Sequence, residues 1–145
     1  MNDPTALLDR EARSLVQRLR LWTPARYGAA AGSTCTRGDL VHHLAQSLAD
    51  RAALLEAGPR RALPRLDSDL GMPDQLAVTA ADLVRARPPE AVAVAVTAHL
   101  LLHRGGLLGD GVPPGLAAAL GLPDVRVAGI EECNRDYHDI TSLDL

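Results

Sequence analysis

The sequence predicts an all-α fold: an up-down-down-up four-helix bundle over residues 1–108, with a long crossover between its second and third helices. A short irregular C-terminal extension, 109–145, is expected to pack on the same domain. Three observations carry this. The chain has 145 residues, with no Phe and one Trp, so its core must be built from Leu, Val and Ala, which favours packed helices. Four stretches keep a helical apolar period between capping and stop signals. The connections differ sharply in length. About three residues join the third and fourth helices, which predicts antiparallel neighbours. Roughly seventeen separate the second and third, enough to span about 55–60 Å and cross the whole bundle.

The first helix is expected from Pro4 to Trp22, with Asp3 as cap and Pro4 at the first helical position. Leu8, Leu15, Leu19 and Trp22 form its apolar stripe. The second starts at a capping box, Thr36 with Asp39, in which side chain and backbone satisfy each other's free N–H groups. Leu40, Val41, Leu44, Leu48 and Leu55 hold one face, and Gly58-Pro59 ends it. The third begins at Pro73 and carries Leu76, Ala80, Leu83 and Val84. The fourth runs from Pro89 to Arg104, with Gly105-Gly106 as its stop. Its Ala/Val alternation over 91–96 also fits a strand, but the apolar run outlasts strand length. As a helix it is apolar on nearly every side and should be the most buried element.

Beyond Gly106 the pattern changes. A short helix is expected near 115–120, then an extended segment, Val125 to Ile130, and a polar tail with Cys133, Asp136, His138 and Asp139.

Composition excludes several chemistries. All fifteen basic residues are Arg, so no Schiff-base or P-loop lysine exists. The net charge of −3 argues against nucleic acid as a partner. Arg60, Arg61 and Arg65 read as a solvated loop. No apolar run reaches membrane-spanning length, and the start of the chain lacks the order of a signal peptide. Cys35 and Cys133 form no CxxC unit and no disulfide framework. A cytoplasmic setting is expected.

Five histidines remain to be placed. His99 and His103 lie four residues apart on the fourth helix, on the stripe of Val92 and Val96, so both imidazoles should face the core. A buried imidazole needs a hydrogen-bond partner or a metal. The second helix offers His42 and His43, about 100° apart. His43 borders the stripe of Leu40, Leu44 and Leu48, which makes it the candidate third ligand and leaves His42 exposed or supporting. Three imidazoles from two helices leave one coordination position open, as in catalytic zinc sites. The pair is not an HExxH motif, since Leu100 stands at the Glu position, and GxSxG is absent. No catalytic residue can be named. Gly106-Leu-Leu-Gly109-Asp-Gly111 follows a helix and reads as a stop and turn, not a phosphate loop.

Two stretches carry a family resemblance. Leu19-Arg-Leu-Trp-Thr-Pro-Ala-Arg26, followed by Thr36-Arg-Gly-Asp-Leu-Val-His-His-Leu-Ala45, resembles the end of helix one and the start of helix two in the DinB-like superfamily. It resembles in particular the N-terminal metal-binding domain of mycothiol-dependent maleylpyruvate isomerases. Ala98-His-Leu-Leu-Leu-His-Arg104 is similar to that family's HxxxH on a late helix. The resemblance covers about residues 5–108. It implies a divalent metal, zinc or nickel, on His43, His99 and His103. It also implies a low-molecular-weight thiol, such as mycothiol, used with a small-molecule substrate in a transferase or isomerase. The Arg-only, Ala- and Leu-rich usage suits a high-GC bacterial genome and so a thiol of that kind. The competing expectation is a metal-free bundle that binds a partner or forms a homodimer through surplus apolar surface.

Overall fold

Asp3 caps the first helix as expected, its carboxylate accepting from the Thr5 amide at 3.0 Å. The computed structural model describes residues 3–30 and 36–108. In chain order these form α1 (Pro4–Leu19), α2 (Pro24–Tyr27), α3 (Arg37–Leu55), a 3-10 turn (Asp69–Gly71), α4 (Met72–Arg85) and α5 (Glu90–Leu108). The described residues are mostly helical, so the all-α expectation holds. The expected elements near 115–120 and 125–130, the polar tail and Cys35 lie outside the described residues.

Helix α1 is shorter than the apolar stripe suggested. It stops at Leu19 because Thr23 precedes a proline and takes an extended backbone, φ −81° and ψ 159°, that cannot continue a helix. Thr23 then caps α2, accepting from the Arg26 amide. The turn between them is locked from inside. The Tyr27 hydroxyl donates to the Leu19 carbonyl at 2.7 Å, and Trp22 packs edge-on against Tyr27. Leu8, Leu15, Leu19 and Trp22 are all buried, so the stripe survives the break.

The capping box of α3 is present in both directions. The Thr36 amide donates to Asp39 Oδ2 at 2.9 Å, and the Asp39 amide donates to Thr36 Oγ1 at 3.1 Å. The helix ends in a Schellman motif: Gly58 N–H bonds to the Ala53 carbonyl and Ala57 N–H to the Leu54 carbonyl. Ala57, not Gly58, takes the left-handed position, at φ 55°.

The crossover that follows is pinned to α3. Gln46 holds it at two points, accepting from the Leu63 amide at 2.7 Å and donating to the Arg61 carbonyl at 3.0 Å. Gln75 of α4 donates to the Pro64 carbonyl. Arg65 bridges Asp39 at 3.0 Å and Asp69 at 2.8 Å. Arg65 is thus a tie between the starts of α3 and α4, and the expectation of a purely solvated Arg cluster fails there.

Helix α5 is the most thoroughly buried helix, with Val92, Ala93 and residues 96–103 all inside. It does not stop at Gly105-Gly106 but runs on to Leu108. Leu107 is fully buried and Leu108 packs against the core. Burying such side chains is worth about 1.5–3 kcal/mol each, which outweighs roughly 1 kcal/mol per helical glycine.

Close helix approaches run between α3 and α4, α1 and α5, α1 and α4, and less extensively α3 and α5. The expected neighbours α4 and α5 are not among these pairs, and neither are α1 and α3. Neither pair packs closely. The short connection permits such a separation: Arg87 turns at φ 53°, Pro88 and Pro89 follow, and four residues reach about 13 Å, more than the roughly 8–10 Å between packed helices. Helix ends also meet in a definite way. Arg20 at the end of α1 pairs with Asp74 at the start of α4, 2.9 Å, whereas Asp39 and Asp69 bring the starts of α3 and α4 together through Arg65.

Candidate functional site

Polar side chains interrupt the apolar interface between α3 and α5. His99 is fully buried and His103 nearly so. Their spacing of one helical turn stacks the rings, with centroids 4.5 Å apart at 73°. Opposite them on α3 stand Ser47 and Arg51, also buried, one turn apart. Ser47 Oγ lies 3.4 Å from His99 Nδ1, and Arg51 donates to the same Oγ and to the Ser47 carbonyl.

These contacts restrict protonation. The His103 Nδ1 atom sits 3.1 Å from the His99 carbonyl oxygen, which can only accept. Nδ1 therefore carries the proton, and in the neutral ring Nε2 keeps its lone pair. Burial pushes the His103 pKa down to about 4, with the His43 charge lowering it further against the backbone bond, which raises it. Burial lowers His99 well below the ordinary range, helped by the charges of His103 and Arg51. Both imidazoles are thus neutral at pH 7, the form in which histidine binds a metal.

The His42/His43 pair on α3 departs from expectation. His43 is exposed and His42 is half-buried. His42 Nε2 donates to the Leu63 carbonyl at 3.1 Å, so the crossover draws that ring inward. His43 remains close enough for its charge to act on His103. Two of the three expected ligands therefore come together, and the third stands at the rim. Among the described residues, no group of three His, Cys, Asp or Glu is arranged to hold a metal ion.

A bound divalent ion fits part of this arrangement. The His103 tautomer is fixed by a backbone carbonyl, which is how metal-binding histidines are usually oriented. Ser47, with two lone pairs, can accept from both Arg51 and His99 Nδ1, which would leave the lone pair of the neutral His99 ring on Nε2. The buried Arg51 guanidinium counts the other way, since it adds positive charge beside the pair.

Sequence reasoning missed Ser47 and Arg51. Their signal was available: His43, Ser47 and Arg51 recur every fourth residue along α3, a polar row beside the apolar stripe of Leu40, Leu44 and Leu48. Cys133, Asp136, His138 and Asp139 lie outside the described residues. No helix among the described residues is long and apolar enough to cross a membrane. No protein-family model, curated protein or solved structure matches the chain.

Proposed function

We propose that this chain is a DinB-like, metal-binding helical bundle of up-down-down-up topology. Its site takes a divalent ion, zinc or nickel, on His99 and His103 with His43 as the third ligand. The observation that carries the reading is the buried, neutral His99/His103 pair with the His103 proton held on Nδ1. The bundle topology is supported by the helix ends that meet through Arg20–Asp74 and through Arg65. His43 completes the set by turning its exposed ring toward His103, whose titration it already influences.

A metal so bound would lower the pKa of a coordinated low-molecular-weight thiol and hold it as thiolate. The chain's own part in thiol-dependent transfer or isomerisation is then to orient the imidazoles. Ser47 and the His99 carbonyl fix the rings, and the apolar walls of α3 and α5 exclude water.

A second reading is a metal-free bundle used as a binding or dimerisation module. The buried Arg51 favours it, because a guanidinium opposes a dication. One experiment separates the two. The protein is reconstituted with zinc or nickel, desalted, and its metal content and thermal midpoint are measured beside His99→Ala and His43→Ala. Under the metal reading the wild type holds about one equivalent, and metal at a hundred times its Kd adds about 2.7 kcal/mol of stability. His99→Ala loses both effects, and His43→Ala weakens retention. Content below about a tenth of an equivalent would sink the metal reading, because binding free energy is folding free energy at such a site.

A further inference from the structure

A hollow of about 160 Å³ opens at the junction of α1 and α2, lined by Arg18, Leu21, Trp22, Arg26 and Leu108. Leu21 is 85% exposed, the most exposed large apolar side chain among those described. The Arg26 guanidinium lies over the Trp22 ring, 4.7 Å from its centroid, and that of Arg37 stands 6.0 Å from it. The hollow is thus apolar at its floor and cationic at its edge.

Its last lining residue, Leu108, leads directly into residues 109–145. That stretch holds seven Asp or Glu and two Arg, against eleven and thirteen in the residues before it. The chain is therefore divided into a net basic part and a net acidic part. Asp110 follows Leu108 by two residues, and Val112, Leu116, Leu120 and Leu122 follow within reach. A tethered segment starting at the rim acts at millimolar effective concentration, so even weak complementary contacts are occupied.

We propose that the hollow is the docking site for this chain's own residues after Leu108. Their carboxylates face Arg18 and Arg26, and their apolar side chains cover Leu21 and Leu108.

Hydrogen exchange on the full-length protein tests this, comparing wild type with Leu21→Glu and Arg26→Glu. Leu21 is so exposed that Leu21→Glu should leave the bundle folded, which protected α1, α3 and α5 amides will confirm. Docking predicts slowed exchange over 109–122 in the wild type, at least tenfold faster exchange there in both variants, and no dependence on protein concentration. Exchange over 109–122 at the rate of an unstructured chain in the wild type would overturn the proposal. So would protection unchanged by both variants, or protection that grows with concentration, which would assign the hollow to a second copy.

Discussion

Ser47 Oγ on α3 and His99 Nδ1 on α5 meet 3.4 Å apart in the buried interface of the two helices. Residue 47 lies midway along its helix, and residue 99 midway along the other. The contact therefore registers α5 against α3, and His103 follows one turn on. A polar pair in this place exchanges apolar packing for a fixed register and a fixed ring orientation. Its cost is kept small only while both imidazoles stay uncharged.

Acid should therefore unfold the metal-free protein early. His103 takes up a proton near pH 6.5 in the unfolded chain but only near about 4 in the fold. The unfolded state binds more protons between those values. The stabilisation is complete above pH 6.5 and is lost as pH falls toward 4, by about 3 kcal/mol for this group at 1.36 kcal/mol per unit. His99 shifts in the same direction and steepens the loss. Urea midpoints at pH 7.5, 5.5 and 4.5 will check it. A His99→Leu/His103→Leu double variant should be flatter over that range, and equal slopes would count against the account.

Gly38→Ala should destabilise the fold. An added Cβ would come within 2.7 Å of Asp69 Oδ1 and 2.9 Å of Asp69 Cγ. Asp69 would have to swing away from Arg65, its ion-pair partner. Gly38→Ala is expected to cost about 1 kcal/mol despite the better helix propensity of alanine, and Asp69→Ala in the same background should recover most of it. Denaturation midpoints of the two single variants and the double variant close the cycle.

Ala57→Gly, by contrast, should stabilise. Ala57 holds the left-handed position of the α3 Schellman motif at φ 55°, where a Cβ is penalised by about 1–2 kcal/mol. Removing the Cβ relieves that strain and outweighs the extra freedom gained by the unfolded chain. A gain of about 0.5–1 kcal/mol is expected. A lower thermal midpoint would show that the Cβ makes a compensating contact.

Local signals were legible in the sequence, and the reasons are physical. Asp3-Pro4 and Thr36/Asp39 act within one turn, so their spacing alone predicts the caps that form. The His99/His103 pair and its burial followed from helical period. What failed depended on distant partners. Gly105-Gly106 reads as a stop, yet Leu107 has a core to enter and carries the helix through it. His43 borders the apolar stripe by helical period, yet His42 is the ring drawn inward, by the Leu63 carbonyl twenty-one residues away. The α2 turn rests on the Tyr27–Leu19 bond, which no local pattern announces. Ser47 and Arg51 were passed over because a serine and an arginine on a helix ordinarily face water.

The lack of close packing between α4 and α5 bears on how the chain finds its fold. Two helices joined by a four-residue turn would normally dock first, as a hairpin with local contacts. Here α4 packs on α3 and on α1, and α5 chiefly on α1, which ends more than fifty residues before either helix begins. The contacts of α1 with α4 and α5 are thus long-range in sequence, and loop closure must be met before they reward it. Folding should be slower than in a bundle of sequentially paired helices of the same size. Its rate should respond to α1 core positions such as Leu15 more than to the Arg87–Pro89 turn.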